Sequence, residues 1–251
     1  MDEAQKVLLE KITNSIKSTV DAKKIGVAFS GGVDSTMMAK ILSSLGYDVT
    51  LLTVGFKDSH DIVFAKQVNE QLGLPHKILE IDPKTFEKIS KDINTKIKTD
   101  NLSWNENCIA FYYVSKLASK LGIRVVVTAN GIDELFCGYN AYRDVVSDGE
   151  SAVLELMEKK LANEIEMMKA VNHISSENDV KILQPLLTID FIDFEKKIPL
   201  YDKINDKDDL IRKHIIRKLA LSVGVPEVSA TKRKKALQYG TKIHKTLLKS
   251  R

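Results

Sequence analysis

A chain of 251 residues is long enough for one domain with a substantial core, and its 43% hydrophobic and 29% charged content excludes a disordered, collagen-like or coiled-coil protein. No apolar run approaches the ~20 residues of a membrane span, and the opening MDEAQKVLLEK has no basic segment leading into an apolar one, so neither a membrane nor a secretory leader is expected. The net charge of +4 is unevenly spread: residues 231–251 hold eight Lys/Arg and no Asp/Glu, leaving 30 basic against 34 acidic residues before them. Two cysteines, Cys108 and Cys137, stand far apart and in no CxxC pair, which suits a reducing, cytoplasmic setting and offers neither a disulfide framework nor a zinc site.

Leu8, Leu9, Ile12, Ile16 and Val20 recur at helical spacing, so the first twenty residues read as an amphipathic helix. From Lys24 the period changes. Residues 25–29 (IGVAF) form a short apolar run that ends in SGGVDS, and a helical stretch follows to Leu45. The next run is 49–54 (VTLLTV), followed by a loop to Asp61 and a helix to Leu72 that Gly73 and Pro75 punctuate. A third run covers 77–81, and two helical segments then lead to a fourth, 124–129 (RVVVTA). Strands alternating with helices predict an α/β fold, a doubly wound parallel sheet with helices on both faces, over residues 23–147. Beyond Tyr142 the pattern is helical: 150–172, a loop with Gln184 and Pro185, then 206–223 ended by Gly224 and Pro226. Residues 148–251 are therefore expected to be a mostly helical extension of a single domain spanning 1–251.

The segment SGGVDS at 30–35 follows a strand and opens a helix. Between Ser30 and Ser35, Gly31 and Gly32 let backbone N–H groups approach an anion closely, and the helix N-terminus adds partial positive charge. The loop lacks the G-x-x-x-x-G-K-[ST] pattern and brings no lysine of its own, so a basic group must come from elsewhere in the chain. Asp34 fits an anion site only if a cation lies between it and the phosphates; Mg²⁺ commonly takes one or two carboxylates together with phosphate oxygens. A glycine-rich turn capped by Asp34 is the plainer alternative.

Strand–SGGVDS–helix resembles the signature of the PP-loop ATP pyrophosphatases, which split ATP between its α and β phosphates. A second segment, TANGIDELFCGY at 128–139, follows the fourth apolar run and resembles the SGEGxDELFGGY segment of asparagine and β-lactam synthetases. The resemblance covers about residues 24–240. It implies ATP and Mg²⁺, with ATP contacts from Ser30, Gly31, Gly32, Asp34, Ser35, Val54, Thr128, Ala129 and Gly131, and metal contacts from Asp34 and Asp133. It further implies activation of a small-molecule carboxylate, aspartate by default, as an acyl-adenylate with release of pyrophosphate, then capture by ammonia or another amine. Nucleic acid is not an expected partner.

Lys213-His-Ile-Ile-Arg217 and RKKALQYG at 233–240 match two basic segments of the same family. The resemblance gives their roles to Lys213, Arg217 and Lys235, with Lys235 reaching the pyrophosphate as charge develops. The basic tail thereby supplies the cation the glycine loop lacks; a solvated helix end is the plainer reading. Two departures stand out. The family commonly carries an N-terminal glutaminase domain that begins with cysteine, whereas this chain begins Met1-Asp2 and has no cysteine before Cys108, so a separate glutaminase subunit is a candidate partner. The glutamate of the family's segment is Asn130 here, at the position the resemblance assigns to the amine step. Asn130 is thus a candidate catalytic residue that can hold a nucleophile but not titrate. Other readings are a PP-loop sulfur transferase or tRNA-modifying enzyme, for which Cys137 stands nearest the site, and a non-catalytic ATP-binding subunit.

Overall fold

In the computed structural model, which describes residues 1–233 and 237–249, the four apolar runs all become strands of one parallel sheet. β1 (Lys24–Ala28), β2 (Asp48–Gly55), β3 (His76–Glu80), β4 (Val125–Val127) and β5 (Lys181–Leu183) lie in the order β3-β2-β1-β4-β5. Val27 of β1 stands opposite Leu51 of β2 on one side and Val127 of β4 on the other. The helices are α1 (Glu3–Thr19), α2 (Val33–Ser44), α3 (His60–Leu72), α4 (Pro83–Ile97), α5 (Leu102–Lys120), α6 (Ile132–Leu135), α7 (Ala141–Val145), α8 (Glu150–Ser176), α9 (Ile189–Glu195), α10 (His214–Ser222), α11 (Glu227–Ala230), α12 (Leu237–Gly240) and α13 (Ile243–Lys249).

Both faces of the sheet are covered, which is why the strands read as nearly continuous apolar runs rather than as alternating ones. Along β2, Val49 and Leu51 enter one core with Ile12, Met38, Phe64 and Ile216. Leu52 and Val54 enter the other with Phe86, Ile109 and Val171 from α4, α5 and α8. Among the described residues no helix is long and apolar enough to cross a membrane.

Two elements differ from the sequence reading. β5 lies inside the region expected to be helical. Its three residues, KIL, are too few to display a strand period, and its place at the sheet edge is fixed by the Asn172 Oδ1 at the end of α8, which accepts from Ile182 N–H at 3.0 Å. The helix expected over 206–223 begins only at His214. Asp209 Oδ1 accepts from the N–H groups of Ile211 and Arg212 at 3.1 and 2.9 Å, closing a side-chain turn before it. Arg212 and Lys213 then adopt φ of 47° and 55°, which no right-handed helix accommodates. Such residues cost ~1–3 kcal/mol each. Arg217 offsets this, its Nε donating to the carbonyls of Ile211 and Arg212 at 3.1 and 2.9 Å.

The winding of the sheet reverses at β1, which has β2 on one side and β4 on the other. In open α/β sheets the crevice at the carboxyl ends of two such strands is where ligands bind. The SGGVDS and TANGIDEL loops leave from those two strand ends.

Candidate active site

After β1 the chain turns through Ser30, Gly31 and Gly32 into α2. Gly31 has a φ of 78°, and a β-carbon there would lie 3.1 Å from the Phe64 ring and from the Phe64 carbonyl, so both backbone and space demand glycine. Ser229 Oγ donates to Gly31 O at 2.7 Å, and Thr36 Oγ1 to Gly32 O at 2.8 Å, which pins the turn from behind. The first turn of α2 carries N–H groups without intrahelical acceptors. Ser30, Gly32, Val33, Asp34 and Ser35 border a cleft of about 480 Å³ at the switch point.

Asp34 of α2 and Asp133 of α6 meet in this cleft across one lysine. Lys213 Nζ donates to Asp34 Oδ2 at 2.5 Å and to Asp133 Oδ1 at 2.8 Å. The lysine side chain is 1% exposed, whereas those of the two acids are 21% and 20% exposed to the cleft side. Burial works against the lysine's charge, but the Asp133 and Asp34 carboxylates outweigh it and hold its pKa above the ordinary lysine value. The left-handed backbone at Arg212 and Lys213 carries this side chain inward. Asp133 is placed in turn by Gly138, where a β-carbon would overlap the carboxylate. Arg217 borders the same cleft and donates to the carbonyls of Ala230 and Lys232 at 2.5 and 3.0 Å, tying the start of the basic tail to α10.

The opposite wall comes from α8 and the start of α5. Lys160, Asn163, Glu164 and Met167 recur at i, i+3, i+4 and i+7 and all border the cleft, as do Asn101, Ser103 and Asn107. Asn130 Nδ2 donates to Glu164 Oε1 at 2.6 Å, joining the end of β4 to α8. Tyr139 donates to Glu134 Oε1, and Lys160 Nζ lies 5.3 Å from the Tyr139 ring centroid. Burial, then the Glu134, Asp133 and Glu164 carboxylates, push the Tyr139 phenol well above its ordinary pKa, so it is a donor throughout the physiological range.

Val54, Thr128, Ala129 and Asn130 border the cleft. Gly31 and Gly131 do not border it; Gly131 has a φ of 103° and makes the turn out of β4, where a β-carbon would come within 2.8 Å of Leu187. Lys235 lies outside the described residues. Its neighbours Lys232 and Arg233 border the cleft, and Lys232 Nζ stands 3.4 Å over the Phe64 ring. The sequence reading missed Glu164, Lys160, Asn163 and the α5 residues. On a long helix a polar stripe looks like a solvated face, and only the packing of α8 across the cleft shows otherwise.

A parallel sheet with a glycine turn and two converging acids at its switch point defines a PP-loop α/β protein. The asparagine synthase family model matches residues 8–172, and the chain belongs to that family. A putative asparagine synthetase [glutamine-hydrolyzing] of Methanocaldococcus jannaschii is 27% identical over an alignment of 284 positions, gaps included, that covers 99% of this chain and 51% of that protein. A tRNA-specific 2-thiouridylase of Bradyrhizobium is 30% identical over 148 residues, 48% of this chain and 37% of that one. The chain spans about half or less of the length of these relatives. Among solved structures, NMN synthetase from Francisella tularensis shares the fold, with a TM-score of 0.52 and 16% identity over 95% of this chain and 78% of that one.

Proposed function

We propose that the protein is an ATP-dependent, AMP-forming carbon–nitrogen ligase. It adenylates a small-molecule carboxylate, releases pyrophosphate and passes the acyl group to ammonia or another amine. The observation that carries this reading is the meeting of Asp34 and Asp133 across Lys213 beside the glycine turn, at the carboxyl ends of neighbouring strands. Family membership supports the reaction class, and aspartate is the first carboxylate to try.

Mg²⁺ fits the residues present. Among the described residues no group of three or more His, Cys, Asp or Glu side chains could hold a metal by itself. Two partly exposed carboxylates at a phosphate turn are what an ion needs when nucleotide oxygens and water complete its shell. Asp34 and Asp133 would hold it, and it would supply charge neutralisation for the departing pyrophosphate. The chain's own groups do the rest. The first turn of α2 would orient the phosphates, Val54 and Thr128, which border the cleft, would face the nucleoside, and the Lys213 ammonium bridges the two acids. Lys235, in the basic tail, would add a mobile positive charge as pyrophosphate leaves.

Sulfur transfer, the chemistry named for the thiouridylase relative, needs an accessible thiolate. Cys108 and Cys137 are both fully buried, and burial pushes each thiol up to about 12. Amide formation is therefore the better reading. Incubation of the chain with ATP, MgCl₂, aspartate and ammonium chloride should yield AMP, pyrophosphate and an amide in equal amounts. ADP and inorganic phosphate as products would overturn it.

A further inference from the structure

Asp133 and Lys213 meet in the cleft although 80 positions separate them, and neither sits inside a long regular element. Asp133 lies in α6, a single turn of four residues, and Lys213 in the left-handed turn before α10. Short segments of this kind do not fix a side chain by themselves, so another contact must hold the two in register. The side chain that spans them is that of Arg212. Its Nη2 donates to Gly138 O at 3.0 Å and to Asn140 Oδ1 at 3.1 Å, and its Nη1 donates to Asp209 O at 3.1 Å. Gly138 is the residue whose N–H closes on Asp133 O at 2.8 Å and whose missing β-carbon makes room for the Asp133 carboxylate. The guanidinium thus reaches from the residue next to Lys213 to the residue packed on Asp133.

We propose that Arg212 is a positioning residue for the release of pyrophosphate, a clamp that holds the Asp133 hairpin and the Lys213 turn in one register. The inference rests on the ligase reading and adds to it a residue outside the cleft: Arg212 is 4% exposed and does not border it. The turn is closed by backbone bonds, Arg212 N–H donating to Asp209 Oδ1 at 2.9 Å and Arg212 O accepting from Arg217 Nε at 2.9 Å. The guanidinium is what carries the position of that turn across to residues 138–140. Three separate acceptors suit its rigid fork of donors, which the single ammonium of a lysine cannot match. Burial, then Arg143, draw the guanidinium's pKa down, and the Asp209 and Asp133 carboxylates oppose them, so its charge also acts on the acid it places. The phosphate turn does not depend on this clamp, because Ser229 and Thr36 pin it from behind. Loss of the clamp therefore bears on turnover rather than on ATP binding.

The experiment measures two quantities on the full chain: ATP affinity by equilibrium binding, and ATP–pyrophosphate exchange at saturating ATP over a panel of amino-acid carboxylates. Far-UV circular dichroism gives the folded fraction of each variant. Arg212→Gly accepts a φ of 47° without strain, so it removes the guanidinium and keeps the turn. Its exchange rate per folded molecule should fall roughly 10²-fold, as for a positioning group displaced by about 1 Å, while its ATP affinity stays close to wild type. Arg212→Lys keeps a buried cation and with it the fold, but reaches fewer acceptors; its loss should be smaller and of the same kind. The double variant, Arg212→Gly with Gly138→Ala, should lose far less than the product of the two single losses, because both act on the Asp133 hairpin. An unchanged exchange rate per folded molecule in Arg212→Gly, or in Arg212→Lys should the first variant not fold, would overturn the inference. So would equal losses of ATP affinity and exchange, or losses that multiply in the double variant; each leaves the ligase reading standing. If the wild-type chain shows no exchange with any carboxylate, the ligase reading falls and the inference with it.

Discussion

Gly138 packs against Asp133 so closely that a β-carbon at 138 would overlap the Asp133 carboxylate. Gly138 N–H also donates to Asp133 O at 2.8 Å, so the hairpin of backbone that follows α6 is closed on the acid itself. Gly138→Ala should push the carboxylate away from Lys213. Displacing a positioning group by about 1 Å can cost ~10²-fold in rate, with an overpacking loss of ~1–3 kcal/mol in stability. Pyrophosphate exchange and urea unfolding measured on the same variant check both parts. Full exchange in a destabilised variant would remove Asp133 from the site.

Lys213 is a cation that the two acids share. Lys213→Met removes this shared buried cation and should cost about 3–5 kcal/mol, the usual penalty for breaking a buried ion pair. Mg²⁺ can neutralise the same carboxylates. Added MgCl₂ should therefore raise the melting temperature of Lys213→Met more than that of the wild type. Equal responses would mean that Asp34 and Asp133 do not hold the ion.

His76 sets a pH dependence away from the cleft. Its Nε2 pairs with Thr53 Oγ1 at 2.8 Å, and burial, then Lys66, lower its pKa from 6.5 to about 4. The unfolded chain takes up a proton over that interval that the folded chain refuses. This contribution is therefore fully present above pH 6.5 and is lost as pH falls toward 4. His76→Gln should flatten that part of the decline in urea unfolding between about pH 7 and about pH 4.5. Parallel declines in variant and wild type would assign the acid loss to other groups.

The basic tail separates into residues with different expected effects. Lys235→Ala should lower turnover ~10²–10³-fold, the worth of one strong electrostatic donor in a transition state, with less effect on ATP affinity. Lys245 and Lys249 lie on α13, beyond the strap that α12 forms over Asp61, and their removal should do little. Steady-state kinetics on the three alanine variants decide; equal losses would make the tail a diffuse basic surface.

The sheet was legible because its strands are buried on both faces and its motif loops sit where a strand period gives way to a helical one. Val27 and Leu51 announce their strands, and SGGVDS marks the junction after the first. β5 was not legible, since three residues cannot show a period and its register comes from pairing with β4. Nor was the break before α10. Arg212 and Lys213 have good helical propensity, and only the Asp209 turn and the Arg217 bonds force them left-handed. At the site, Asp34 and Asp133 could be read from their loops, while Glu164 depends on how α8 crosses the cleft, a long-range contact 34 positions from Asn130.

The most direct test of the ligase reading is ATP–pyrophosphate exchange in the presence of MgCl₂ and a panel of carboxylates, comparing the wild-type chain with Asp34→Asn. The expected result is exchange that requires one class of carboxylate in the wild type and is abolished in the variant, with thermal unfolding showing that the variant remains folded. Exchange retained in full by Asp34→Asn would contradict the assignment of the site, and a wild-type chain that binds ATP but exchanges pyrophosphate with no carboxylate would contradict the reaction.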